Sequence, residues 1–224
     1  MNIRKVVLET TELKEMKDFY VSRLGFLVLQ ENATSFRIAV GTSELEFTSE
    51  NVEGDPYYHF AFNIPSNKFT EAKAWAKEKV RLNVEDGEDD VYFSHMDAYA
   101  FYFYDPAGNI VEFIARSTSD EKMEAFSAAS ILNISEMSLT VDDAITAGKE
   151  LKDIGIKERD DESISSTSLN FMGDRASGVF LLLVQPGRKW IFSDKVSVTF
   201  PQEITLQGNS QISINKDNKL TIDP

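Results

Sequence analysis

The feature that most constrains this chain is a pattern of strand, helix and three strands written twice in its first half. Residues 3–9 (IRKVVLE) alternate as a strand. Thr11 is placed to cap a helix carrying Leu13, Met16, Tyr20 and Leu24 on one stripe, and Gly25 to end it. Three short strands follow at 26–32, 35–41 and 43–49. The order then recurs. A strand at 57–65 leads into a helix opened by Pro65-Ser66-Asn67, with Phe69, Ala72, Ala76 and Val80 on its apolar stripe. Strands near 91–94, at 98–104 and at 109–115 complete the second copy, the last two joined by the turn Asp105-Pro106-Ala107-Gly108-Asn109. Laid over each other, the copies match Lys5-Val6-Val7-Leu8 to His59-Phe60-Ala61-Phe62, and Leu45-Glu46-Phe47-Thr48 to Val111-Glu112-Phe113-Ile114. A repeat of about 50–60 residues outranks local propensity in deciding a fold.

A third, weaker copy follows a polar stretch. Its first strand is 134–141. Asp142 is placed to cap a helix bearing Ile145, Leu151 and Ile154, Gly155 ends it, and strands are expected near 157–160, 168–172 and 179–184. The tail holds 196–200 and a hairpin-like pair, QISIN and KLTID, but no helical pattern. The organisation read from these signals is a two-module domain over 1–118, a linker over 119–130, a third module over 131–187 and a C-terminal β extension over 188–224.

Charge and composition exclude several functions. The 224 residues carry 23 Lys and Arg against 37 Asp and Glu, a formal net charge of −14. Such a field repels phosphate backbones and anionic membranes, so neither nucleic acid nor membrane is an expected partner. Cysteine is absent, which removes disulfides, thiolate metal sites and a cysteine nucleophile. No apolar run approaches the roughly 20 residues of a membrane span, and Glu9 and Glu12 interrupt any leader-like core, so a soluble, cytoplasmic protein is expected. Gly25, Gly41 and Gly108 sit in turns, and no glycine-rich phosphate loop marks a nucleotide cofactor.

The segments MKDFYVSRLGF (16–26), YYHFAF (57–62) and FYDPAGNIVEF (103–113), in this strand and helix order, resemble the vicinal-oxygen-chelate superfamily of glyoxalases, extradiol dioxygenases and bleomycin-resistance proteins. The resemblance covers 3–116 well and 131–185 weakly. It implies an α+β fold in which paired βαβββ modules form an open, cup-shaped sheet with helices outside, here with a third, degenerate module and C-terminal strands. It places the first two modules edge to edge in one cup over residues 3–116. Carried over by position, the family's metal ligands fall on Lys5, Glu46, His59 and Glu112. A protonated Lys5 has no lone pair to give, which leaves Glu46, His59 and Glu112 as the expected ligands. Either carboxylate could double as a catalytic proton-transfer group. Strand alternation agrees, since Phe60 and Phe62, Val111 and Phe113, and Leu45 and Phe47 occupy the faces opposite these three residues. One imidazole and two carboxylates suit a divalent zinc, manganese, iron or nickel ion.

Other readings of the same residues stand beside this one. Lys5 next to Glu46 or Glu112 would neutralise the cup without a metal. Glu112, inside the apolar NIVEFIA, needs a cation of some kind. His95 could act as an acid or base at neutral pH, and the acidic run 85–90 reads as a solvated loop. In the third module Glu136 takes the first ligand position but Leu182 takes the last, so a structural role is expected there, its open face covered by residues 196–222 or by a homodimer partner. Three functions follow: a metal-dependent enzyme acting on a small-molecule substrate, a metal-free small-molecule-binding module of the bleomycin-resistance type, or a non-catalytic dimerisation scaffold.

Overall fold

The computed structural model describes residues 1–223; Pro224, the last residue of the expected extension, lies outside the described residues. The first module comprises β1 (Ile3–Glu9), α1 (Leu13–Lys17, widening into a π turn over Asp18–Arg23), β2 (Val28–Glu31), β3 (Ser35–Val40) and β4 (Ser43–Thr48). The second comprises β5 (His59–Ile64), α2 (Phe69–Lys77), β6 (Val91–Phe93), β7 (Ala98–Tyr104) and β8 (Ile110–Arg116). The third keeps β9 (Asn133–Thr140), α3 (Ala144–Asp153), β10 (Asn170–Asp174) and β11 (Val179–Val184), and a meander of β12 (Gln202–Leu206), β13 (Gln211–Ile214) and β14 (Leu220–Asp223) follows. Asp143, not Asp142, caps α3, accepting from the Thr146 amide at 3.0 Å. The strand expected at 157–160 is one bridge, Glu158 to Met172, and the one at 196–200 is one bridge, Lys189 to Val196. No helix among the described residues is long and apolar enough to cross a membrane.

The βαβββ modules form two curved seven-stranded sheets, paired differently from the expectation. One sheet runs β14-β13-β12-β1-β4-β3-β2 and the other β10-β11-β9-β5-β8-β7-β6. The first and second modules therefore lie in different sheets, and residues 3–116 do not close one cup. A strand has two edges, and each can be used once. On β1 one edge is taken by β4 and the other by β12, and on β5 one is taken by β8 and the other by β9. The C-terminal strands complete the first module, not the third, and the second module completes the third.

The apolar faces explain why the two sheets stay together. Val6 and Leu8, Phe60 and Phe62, Met137 and Leu139, and Ile204 and Ile212 join one buried core with Met16 and Tyr20 of α1, Ala72 and Ala76 of α2 and Leu151 of α3. The helices thus cover the faces opposite the cups. The Asp105–Asn109 turn brackets the modules: buried Asp105 accepts from the Tyr20 hydroxyl and the Asn109 side-chain amide, each at 2.8 Å, while Asn109 accepts from the Tyr58 amide at 2.7 Å. Burial pushes the Asp105 carboxyl up to about 6, against the pull of these hydrogen bonds.

Because β12 seals the edge of β1 and places Ile204 in the shared core, Ile204→Ala should cost about 2–4 kcal/mol in equilibrium denaturation. A loss below about 0.5 kcal/mol would mean that the C-terminal strands are peripheral.

Candidate functional site

Three strands bring the site together through their register. Ala61 on β5 stands opposite Glu112 on β8 along one edge and opposite Glu136 on β9 along the other. His59, two residues before Ala61, shares its face. The β9 register shifts just beyond Glu136, where Ala61 pairs with Glu136 but Phe62 with Ile134. That bulge keeps Ile134 and Met137 in the core while Glu136 faces the cup. His59, Glu112 and Glu136 are 4%, 2% and 3% exposed, and one ligand atom from each lies within 4.8 Å of the others.

Hydrogen bonding fixes what each group offers. His59 Nδ1 lies 3.0 Å from the Ile110 carbonyl and must donate to it, so Nε2 presents its lone pair, 3.5 Å from Glu112 Oε2. Burial pushes the imidazole down to about 4, with Arg188 adding to the shift, so His59 is neutral at pH 7. Arg116, four residues after Glu112 on the same face of β8, pairs with Glu136 and donates to Asn63 Oδ1 at 2.6 Å. Gly178, at φ +59°, makes room for it; a Cβ there would press on Arg116 Cδ at 3.1 Å. The guanidinium thus pairs with one of the two buried carboxylates and acts on the other only through space. Burial first, then the neighbouring Glu136, raise the Glu112 carboxyl well above its ordinary range, against Arg116 and a hydrogen bond from Tyr102. Burial also raises Glu136, and Arg116 opposes the shift.

Above this floor is a cavity of about 230 Å³. Residues 185–197 double back over it, with Gly187 donating to the Ser197 carbonyl at 2.8 Å and Trp190 to that of Lys195 at 3.0 Å. This strap puts the Trp190 ring 4.7 Å from His59 and stacks Phe192 on Tyr102 at 5.1 Å. It is tied to the second module: Glu85 accepts from the Phe192 amide at 2.9 Å, and Asn83 donates to its carbonyl at 2.8 Å. Glu85 in the acidic loop is thus an anchor for the strap. The larger concavity beside the strap, about 770 Å³ between Arg23, Asn83 and Asp194, touches none of the three clustered residues.

Glu46 is not at this site. It lies in the other sheet, 2.8 Å from Lys5 Nζ and 3.1 Å from Arg37 Nε. The registers explain the exchange: Val7 stands between Glu46 and Glu203 as Ala61 stands between Glu112 and Glu136, and Lys5 holds the place of His59. The expected Lys5 ion pair exists, but in a cup other than that of His59. The third module, expected to be structural, supplies Glu136. His95 stands exposed at the cavity rim, its pKa lowered by burial and by Arg159 and Arg175. Arg116 was missed by the sequence reading, although its spacing of two and four from Ile114 and Glu112 puts it on the cup face. Arg188 and Trp190 carry no local signal.

A family model described as the glyoxalase/bleomycin resistance protein/dioxygenase superfamily matches residues 2–113, half of the chain. The chain belongs to that superfamily. A second model, described as toxoflavin-degrading enzyme, matches residues 134–188 of the third module. Among solved structures, an integron cassette protein from the mobile metagenome of the Halifax Harbour sewage outfall is 24% identical, covering 51% of this chain and 97% of its own at a TM-score of 0.43. Lactoylglutathione lyase from Agrobacterium tumefaciens is 19% identical over 50% of this chain and 91% of its own, at 0.42. A glyoxalase family protein from Enterococcus faecalis is 25% identical over 50% and 96%, at 0.41. No curated protein matches the chain.

The His59 environment sets a pH dependence. Its folded pKa lies below the ordinary 6.5, so the unfolded chain takes up the proton first and stability is lost as pH falls from 6.5 to about 4. In chelator-treated protein, the stability of wild type relative to His59→Gln should fall by roughly 3 kcal/mol over that window. A flat difference would mean that the imidazole is not buried as described.

Proposed function

We propose that the second and third modules form a metal-dependent small-molecule site, with a divalent cation held by His59, Glu112 and Glu136. The observation that carries this is the donor set itself: an imidazole lone pair and two carboxylates, all buried and converging from three strands, with an ion pair from Arg116 to Glu136 alone. Uncompensated charge at such depth is costly, and a dication offsets it. One nitrogen and two carboxylate oxygens suit zinc, manganese, iron or nickel. When bound, such an ion supplies Lewis acidity to oxygens of the ligand. Arg116 holds Glu136 in place, burial favours the neutral form of Glu112, and Tyr102 hydrogen-bonds Glu112 from the neighbouring strand. Leu182, at the family's fourth ligand position, leaves that side of the cup to the small molecule. The likeness of the third module to toxoflavin-degrading enzymes favours an enzyme over a dimerisation scaffold, as does a cavity that the chain's own side chains do not fill.

One observation favours a second reading, the metal-free binding module. Arg116 already neutralises Glu136, and a protonated Glu112 can donate to His59 Nε2. Metal analysis of protein purified without chelator or affinity metal separates the two. The metal-dependent reading expects about one equivalent per chain. It also expects manganese or zinc affinity to drop at least roughly a hundred-fold in His59→Ala and Glu136→Gln. Lys5→His and Glu46→Gln, in the other cup, should leave that affinity unchanged. No bound ion, and titrations insensitive to His59, would establish the metal-free module.

A further inference from the structure

We propose that Arg188 recognises an acidic group on an aromatic ligand seated in the cavity beneath the strap. This rests on reading the cavity as a ligand site, and it adds the chemical class of the ligand. The Arg188 side chain is half-buried and lines the cavity, yet no carboxylate among the described residues lies within ion-pair distance of it. Its one hydrogen bond as a donor through the side chain goes to the Lys189 carbonyl, at 3.1 Å. Most of the five guanidinium N–H donors are therefore free. The carboxylates of the floor are otherwise engaged, Glu136 with Arg116 and Glu112 with Tyr102 and His59. Arg188 is left as the positive group of the lining with no partner in the chain.

The walls select what accompanies the acid. Trp190 sits 5.5 Å below the Arg188 guanidinium and holds it over the cavity. Phe93, Phe171, Leu169 and Ile191 make up much of the remaining lining. A flat apolar body fits between such walls, and a carboxylate fits a planar guanidinium through two parallel hydrogen bonds. A volume of about 230 Å³ is below the range for drug-sized ligands, which points to one or two fused rings.

Calorimetric titration of the full-length protein with 2-naphthoate and with its neutral isostere 2-naphthamide tests this. Titrations run in EDTA and again with manganese, so that a carboxylate preference arising from a bound ion is recognised. The expected result in EDTA is 2-naphthoate bound at least about ten-fold more tightly than the amide. Arg188→Gln should erase that preference, leaving acid and amide bound alike, and Arg188→Lys should keep part of it. Melting curves of both variants matching wild type show that the fold is intact. Equal binding of acid and amide, a preference that survives in Arg188→Gln, or no binding of either would overturn the proposal. The metal reading fails separately. Loss of metal binding with the preference intact removes only the ion, and metal binding with no preference removes only the role of Arg188.

Discussion

The site depends on one constraint, the position of Ala61 between two carboxylates. Strands pair at just under 5 Å, so Glu112 and Glu136 rise from backbones roughly 10 Å apart and lean over a side chain that is only a methyl group. A bulkier residue at 61 would fill the gap and part the carboxylates. Like charges so close and so deep repel each other, and the surrounding structure answers that repulsion. Arg116 pairs with one carboxylate, burial and that neighbour raise the pKa of the other, and His59 is kept neutral with its lone pair turned inward. Asn63 and Gly178 exist in this picture to seat Arg116.

The two sheets show one plan carried to two ends. In the sheet of the first module, the same register surrounds Val7 with Glu46 and Glu203, but Lys5 and Arg37 stand nearby and the cup is open enough to leave Glu46 partly exposed. Surface ion pairs satisfy carboxylates in such a place at little cost. In the sheet of the second and third modules, the strap from 185 to 197 covers the cup with Trp190 and Phe192, and the carboxylates are buried. The same residue types therefore have different chemistry: an ion-pair network on one side, a perturbed donor cluster on the other. Closure by the strap, more than the identity of the acids, makes the difference.

Much of this was legible in the chain. The repeat, the element order and the face of every residue in β1, β5 and β8 follow from periodicities of two and 3.6, because those are local properties of backbone geometry. His59 and Glu112 were picked out by the family resemblance, and the alternation agreed in turning both away from the apolar faces of their strands. Which module pairs with which was not legible, because the edges of β1 and β5 are alike in sequence and the choice rests on strands far along the chain. β12, the strand that decides it, is only five residues long, begins directly after Pro201 and was not recognised. The bulge beside Glu136 interrupts the alternation of β9, and Leu182 at the last ligand position made the third module look purely structural. Arg188 and Trp190 reach the site through a strap whose path depends on contacts with Asn83 and Glu85, which no short window of sequence reveals.

The central claim is that the second and third modules, and not the first and second, share the functional cup. Anomalous diffraction from crystals grown with manganese tests it most directly. The account predicts one strong peak within bonding distance of His59 Nε2 and of carboxylate oxygens of Glu112 and Glu136. A peak beside Glu46 in the other cup, with none among His59, Glu112 and Glu136, would contradict it.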